Sequence, residues 1–186
     1  MTENSPLIKV YDDFISPSYQ HVIKDFISSP DTHWIYQDNM DESGRGYSQF
    51  VHGIFDDQDN VNDHLLHNLL CGLLSKIKDE ICPTAYHYRS RAILQVPIPD
   101  APKHYAPHID NSNPNAISFI YYPHQSSGDT YLFNHMDSIL DVTTPKQGRL
   151  IQFPSNCRHA GSPPVSGRRM LININFLNTP TVKYKS

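Results

Sequence analysis

Two hydrophobic periods divide the chain. In its first half apolar positions recur at helical spacing: Tyr19, Val22, Ile23, Phe26 and Ile27 form one stripe, and Leu65, Leu66, Leu69, Leu70, Leu73, Leu74 and Ile77 form a broader one. Ser16 followed by Pro17 supplies an N-cap and a proline at the first helical position, which predicts a helix ending near Ser28. The second stripe predicts a helix from Asn60 to about Asp79, weakened slightly by Gly72 and closed by Pro83. Its leucines have no charged heptad partners, so this face should pack on a sheet rather than form a coiled coil. Short strands are expected at 7–11, 33–37 and 47–55. The polar, glycine-bearing stretch 38–46 between the last two reads as a mobile loop, either a lid or an ordinary hairpin connection.

From residue 91 onward the pattern changes to short strands, at 92–96, 105–110, 116–122, 130–133, 150–153 and 169–176, each bounded by Pro, Gly, Asn or Ser. Helices first and strands later predict an α+β, mainly β architecture: a double-stranded β-helix, or jelly roll, buttressed on one face by the two N-terminal helices. No repeat, low-complexity tract or linker interrupts the chain. The expectation is therefore one domain over 1–186, with support elements to about 90 and a jelly-roll core over about 91–177.

Composition narrows the function. The chain has 186 residues and is 38% hydrophobic. Its mean hydropathy is −0.50, and no apolar run approaches the roughly 18 residues of a membrane span. The N-terminus has no basic region followed by an apolar one, so the cytoplasm is the expected location. The formal charge is 15 − 19 = −4, and the longest basic run is Arg168-Arg169, which disfavours a nucleic-acid partner. Three cysteines without C-x-x-C spacing point to reduced thiols. Eleven histidines dilute any argument from one of them: His21, His33, His52, His64, His67 and His87 read as surface or packing residues.

Candidate chemistry centres on Tyr105-Ala106-Pro107-His108-Ile109-Asp110. Side chains two apart on an extended segment share a face, so His108 and Asp110 can grip one metal ion while Ile109 points away. Pro102 and Pro107 argue against a helical His104/His108 pair. His159, in a turn after the strand that ends at Phe153-Pro154, is the best third ligand. Two histidines and a carboxylate form the facial triad of non-haem Fe(II) oxygenases, which leaves positions open for co-substrate and oxygen. In the strand at 169–176, Met170, Ile172, Ile174 and Phe176 form an apolar face, and Arg169, Leu171, Asn173 and Asn175 the other. Arg169 then points into the barrel, although a one-residue slip would substitute Arg168. A buried guanidinium requires an anion. A small dicarboxylate chelating the metal at one end could place its other carboxylate there.

These pieces resemble the Fe(II)/2-oxoglutarate-dependent oxygenase superfamily, in particular its prolyl 4-hydroxylase-like branch. The resemblance covers about residues 92–177. It is carried by Tyr105-x-x-His108-x-Asp110, Ile120-Tyr121-Tyr122, Gly128-Asp129-Thr130-Tyr131-Leu132-Phe133, Gly148-Arg149-Leu150-Ile151-Gln152-Phe153, and His159 followed ten residues later by Arg169. His108–Asn111 also echoes the His-x-Asp-Asn stretch of oxygen-sensing prolyl hydroxylases. The pattern departs from the family where Gly128-Asp129 replaces Gly-Gly and where Pro123-His124 replaces Leu-Asn.

The resemblance implies Fe(II) on His108, Asp110 and His159 as the catalytic centre. It implies 2-oxoglutarate as co-substrate on Arg169, with Tyr122, or alternatively Tyr121, beside it, and O2 as oxidant. The implied activity is a dioxygenase that hydroxylates an unactivated C–H bond, with a peptidyl proline as the leading substrate and other peptides, proteins or small molecules as alternatives. Because both histidines bind metal only when neutral, iron affinity is expected to fall as pH drops through about 6. Oxidative demethylation of nucleic acid is a second reading, weakened by the acidic charge and by the lack of a second arginine after Asn175. A non-catalytic, cupin-like metal-binding module is a third, and would not require an inward arginine.

Overall fold

The computed structural model describes residues 8–38 and 48–178. The elements, in order, are β1 (Lys9–Tyr11), α1 (Pro17–Ile27), β2 (Ile35–Asp38), β3 (Ser48–Phe55), α2 (His64–Glu80), β4 (Ala85–Gln95), β5 (Ala116–Tyr121), β6 (Thr130–Phe133), β7 (Ile139–Thr143), β8 (Leu150–Pro154), β9 (Arg158–Gly161) and β10 (Arg169–Asn178). One sheet has the order β1-β8-β5-β10-β4-β3-β2 and faces a smaller sheet, β7-β6-β9. The strand pairings are antiparallel. This is a jelly roll with two helices on the outer face of its larger sheet.

The helices form where capping and periodicity coincide. Ser16 Oγ accepts a hydrogen bond from the Tyr19 backbone, and Pro17 opens α1. Helix α2 starts four residues later than the stripe alone predicts, because Asp63 is its N-cap and accepts from Leu66 N at 2.9 Å. The residues before it belong to a turn in which Asp56 gathers the backbone of Gln58 and Asn60. Leu66, Leu70, Leu73 and Ile77 are fully buried, whereas Leu65, expected in the same apolar stripe, is 72% exposed, because it stands one position round the helix from Leu66 and faces away from the sheet. Gly72 has a packing role: an added Cβ would lie 3.2 Å from the Tyr19 hydroxyl. That hydroxyl donates to Leu69 O and accepts from Leu73 N, pinning α1 to α2.

Strand β10 separates two interiors. Met170, Ile172, Ile174 and Phe176 join Ile23, Ile27 and the α2 leucines in a core under the helices. Leu171 instead packs between the sheets with Ile93, Ile120, Tyr122, Leu132 and Phe153. The polar members of that second face, Arg169, Asn173 and Asn175, are also buried.

Several expectations change. Residues 105–110 form no strand; the segment makes a single bridge between His108 and His159. Ile109 faces solvent at 43% exposure and enters no core. His159 sits in β9, not in a turn. Strand β4 begins at Ala85, not at 92. Strand β7 was not predicted, since Ile139, Leu140 and Val142 are all exposed and leave no buried alternation to read. The expected loop 38–46 lies outside the described residues apart from Asp38, which ends β2. No described helix is long and apolar enough to cross a membrane. The three cysteines form no disulfide.

His87 makes the fold acid-sensitive. Its ring lies 5.0 Å from that of Phe55, 6.3 Å from His67 and 5.5 Å from Phe176. Burial, reinforced by His67, lowers its pKa from 6.5 to about 4. A depressed pKa means that the unfolded chain takes up the proton first. The stabilising contribution is therefore complete above pH 6.5 and is lost as pH falls toward 4. Urea unfolding across this window should show stability declining by up to about 3 kcal/mol from this group, and His87→Phe should flatten the slope.

Candidate metal and co-substrate site

Two backbone hydrogen bonds assemble the site. His108 N donates to His159 O at 2.9 Å and His159 N to His108 O at 2.8 Å, so the irregular segment lies along β9. Asp110 N and Asn111 N both donate to Ser155 O, which holds the next residues to the end of β8. His108 and Asp110 therefore share a side, as period-2 spacing requires, and His159 faces them. One donor atom from each of the three residues falls within 4.8 Å of the others, the only such group among the described residues.

The surroundings prepare these side chains to coordinate. His159 Nδ1 lies 3.0 Å from Cys157 O, and a carbonyl can only accept, so this nitrogen carries the proton. Nε2, 3.8 Å from Asp110 Oδ2, is left with its lone pair toward the site. Burial, with His159 nearby, lowers the His108 pKa to about 4, so this imidazole resists protonation to lower pH than the sequence suggests. The Asp110 side chain is 1% exposed. Burial opposes its ionisation. The opposing influence of His159, hydrogen bonds from Ser118 and Asn173, and the Arg89 guanidinium outweigh it and hold the carboxyl well below the usual carboxylate range. Ser118 Oγ donates to Asp110 Oδ2 at 2.6 Å, Asn173 Nδ2 at 3.2 Å and Asn175 Nδ2 at 3.3 Å. Arg89 Nη2 stands 3.6 Å from Oδ1 and orients Asn175 through its Nε. Two imidazoles and an oriented carboxylate suit a divalent iron ion with open coordination positions.

A narrow cavity runs from His108 and His159 to Arg169, walled by Ile93, Ile120, Leu171 and Asn173. The register places Arg169 inside and Arg168 outside. Burial is the main influence on the Arg169 guanidinium and pushes its pKa down. It donates to neutral oxygens: Nε to Gly128 O at 2.6 Å, Nη1 to Gln95 Oε1 at 2.7 Å and Nη2 to Thr130 Oγ1 at 2.7 Å. N–H donors remain for an anion in the cavity. Gly161 preserves space beside them, since a Cβ there would stand 3.0 Å from Nη1. An interior cation with spare donors and a glycine-lined approach fits the free carboxylate of a dicarboxylate co-substrate.

Tyr122 is fully buried, its hydroxyl 2.7 Å from Thr130 Oγ1 and its ring 5.9 Å below the Arg169 guanidinium. Thr130 thus lines the cavity, as does Tyr105, with Tyr122 behind Thr130. Tyr121 belongs to the helix-side core. Arg89, Arg91, Gln95, Ser118 and Thr130 were not singled out in the sequence. A longer β4 would have revealed the first three, because 89, 91 and 95 share its inward phase. A larger concavity, about 1310 Å³, lies elsewhere among the described residues: Val22, Phe26, Tyr36, Gln37 and Leu65 line it, and it contains no predicted site residue.

Residues 94–177 match the profile of the 2OG-Fe(II) oxygenase superfamily. Among solved structures, a 2OG-Fe(II) oxygenase family oxidoreductase from Burkholderia pseudomallei superposes with a TM-score of 0.69 at 12% identity, covering 97% of this chain and 89% of that one. A Pseudomonas putida prolyl-4-hydroxylase gives 0.63 at 15% identity, covering 95% of each. A prolyl hydroxylase from Trichoplax adhaerens, in complex with a hypoxia inducible factor oxygen degradation domain peptide fragment, gives 0.60 at 14%, covering 94% and 85%. A search of curated proteins finds no match. The chain thus carries a 2OG-Fe(II) oxygenase match over residues 94–177, and its fold resembles that of solved 2OG-Fe(II) oxygenases, prolyl hydroxylases among them. It is a dioxygenase that uses Fe(II), 2-oxoglutarate and O2.

The bend at Gly128 can be tested by stability. Its φ is +95°, and a Cβ would meet Ser162 O at 2.7 Å and Arg169 Cδ at 2.9 Å. Gly167 also has positive φ, +67°, but nothing within 4 Å. Denaturant titration should show Gly128→Ala costing about 2–4 kcal/mol, against about 1 kcal/mol for Gly167→Ala.

Proposed function

We propose that His108, Asp110 and His159 hold the Fe(II), that Arg169 anchors the distal carboxylate of 2-oxoglutarate, and that the whole chain works as one oxygenase domain hydroxylating an unactivated C–H bond. The observation that carries this reading is the shared cavity: a convergent His-Asp-His donor set at one end and a buried arginine with spare donors at the other. Held by His108, Asp110 and His159, Fe(II) would supply the oxidation in which 2-oxoglutarate and O2 become succinate and carbon dioxide, with one oxygen atom going to the substrate and the other to succinate.

The chain's own groups do the positioning. His159, its proton held by Cys157 O, offers Nε2 to the metal. Ser118, Asn173 and Asn175 fix the Asp110 carboxylate. Arg169 sets the distance of the co-substrate from the metal, with the Thr130 hydroxyl beside it and Tyr122 supporting Thr130. The hydrophobic walls, Ile93, Ile120 and Leu171, exclude water from that channel.

A peptidyl proline is the leading substrate. This rests on the branch resemblance and on the similarity of fold to prolyl hydroxylases.

Succinate formation from 2-oxoglutarate by Fe(II)-loaded protein tests the reading. His108→Ala, Asp110→Ala and His159→Ala should each abolish it together with metal binding. Arg169→Lys should mainly raise the KM for 2-oxoglutarate, by about tenfold or more. A wild-type protein that binds no iron would sink the proposal. Screening proline-containing peptides for a mass gain of one oxygen atom tests the substrate class.

A further inference from the structure

Arg169 ends a row of side chains that crosses four strands. Gln37 on β2 pairs in register with Gln49 on β3, and Gln95 on β4 pairs with Arg169 on β10; the Phe50–Leu94 pairing sets Gln49 beside Gln95. Arg169 Nη1 donates to Gln95 Oε1 at 2.7 Å, Gln95 Nε2 to Gln49 Oε1 at 3.3 Å, and Gln49 Nε2 to Gln37 Oε1 at 3.2 Å. Gln49 and Gln95 are 4% and 5% exposed.

The direction of this ladder is chemically determined. A guanidinium only donates, so Gln95 must turn its carbonyl to Arg169 and its amide to Gln49, which must do the same toward Gln37. Each amide orientation is thereby dictated by its neighbour, and each bond polarises the next. The far end, Gln37, is remote from the metal cavity; it lies on the edge strand and lines the large outer groove.

We infer that Gln95, Gln49 and Gln37 are positioning residues. Through this one-way ladder they hold the Arg169 fork in the orientation that receives the co-substrate carboxylate. The inference rests on the proposed role of Arg169. By linkage the coupling is reciprocal, so an occupied Arg169 also favours the β2–β3 arrangement that completes the ladder.

The test is calorimetric binding of 2-oxoglutarate to Mn(II)-loaded protein, where Mn(II) stands in for iron without turnover. Mn(II) affinity is measured separately. Gln95→Leu should weaken 2-oxoglutarate about tenfold by removing a charge-assisted partner. Gln49→Leu should weaken it about threefold through the loss of orientation alone. Mn(II) affinity should not change in either. Gln49→Glu, which keeps an acceptor toward the Gln95 amide, should retain more affinity than Gln49→Leu. If Gln95→Leu folds poorly, the two Gln49 variants decide the matter. Unchanged 2-oxoglutarate affinity in a folded Gln49→Leu protein overturns the ladder while leaving the site assignment standing. A wild-type protein that binds Mn(II) but no 2-oxoglutarate overturns the role of Arg169 and the ladder with it.

Discussion

The site depends on the mutual backbone hydrogen bonds of His108 and His159. The segment that carries His108 and Asp110 has no ladder of its own, because Pro102 and Pro107 remove donors and fix φ on its N-terminal side. Docking one residue of it onto β9 orients both imidazoles and, two residues on, the carboxylate. Ser155 O then clamps the end of the segment through two amides. Three side chains from two remote stretches are thereby brought to one point by main-chain geometry, before any metal contributes.

Around that point the fold keeps a polar interior that would be costly if left unsatisfied. Asp110 is buried, yet it accepts hydrogen bonds from Ser118, Asn173 and Asn175 and faces Arg89. Arg169 is buried and donates to the neutral oxygens of Gly128, Gln95 and Thr130. An interior cation so placed is stabilised by an anion, so the arrangement favours a carboxylate ligand. Both groups lie on one face of β10 and its neighbours, while the opposite face binds the helices through aliphatic packing. The helices thus stabilise the sheet whose other side performs the chemistry.

Local patterns were legible wherever the two faces of an element differ in polarity or in burial. The alternation in β10 separated Met170, Ile172, Ile174 and Phe176 from Arg169, Asn173 and Asn175, and the leucine stripe of α2 marked the helix-side core. Strand β7 gave no such signal, because its apolar residues face solvent at the margin of the small sheet. The start of β4 was missed because Tyr86, His87, Tyr88 and Arg89 mix aromatic and charged side chains and show no simple alternation. With that start went the inward phase of Arg89, Arg91 and Gln95.

The sequence by itself determined which residues can ligate a metal and which strand carries the arginine, since both follow from side-chain chemistry and a period of 2. The tertiary structure decided how they are held. Gln37, Gln49, Gln95 and Arg169 share a row, and Ser118 reaches Asp110, only through the pairing of strands far apart in the chain. Cross-strand register is set by the packing of the whole sheet, and no local stretch encodes it.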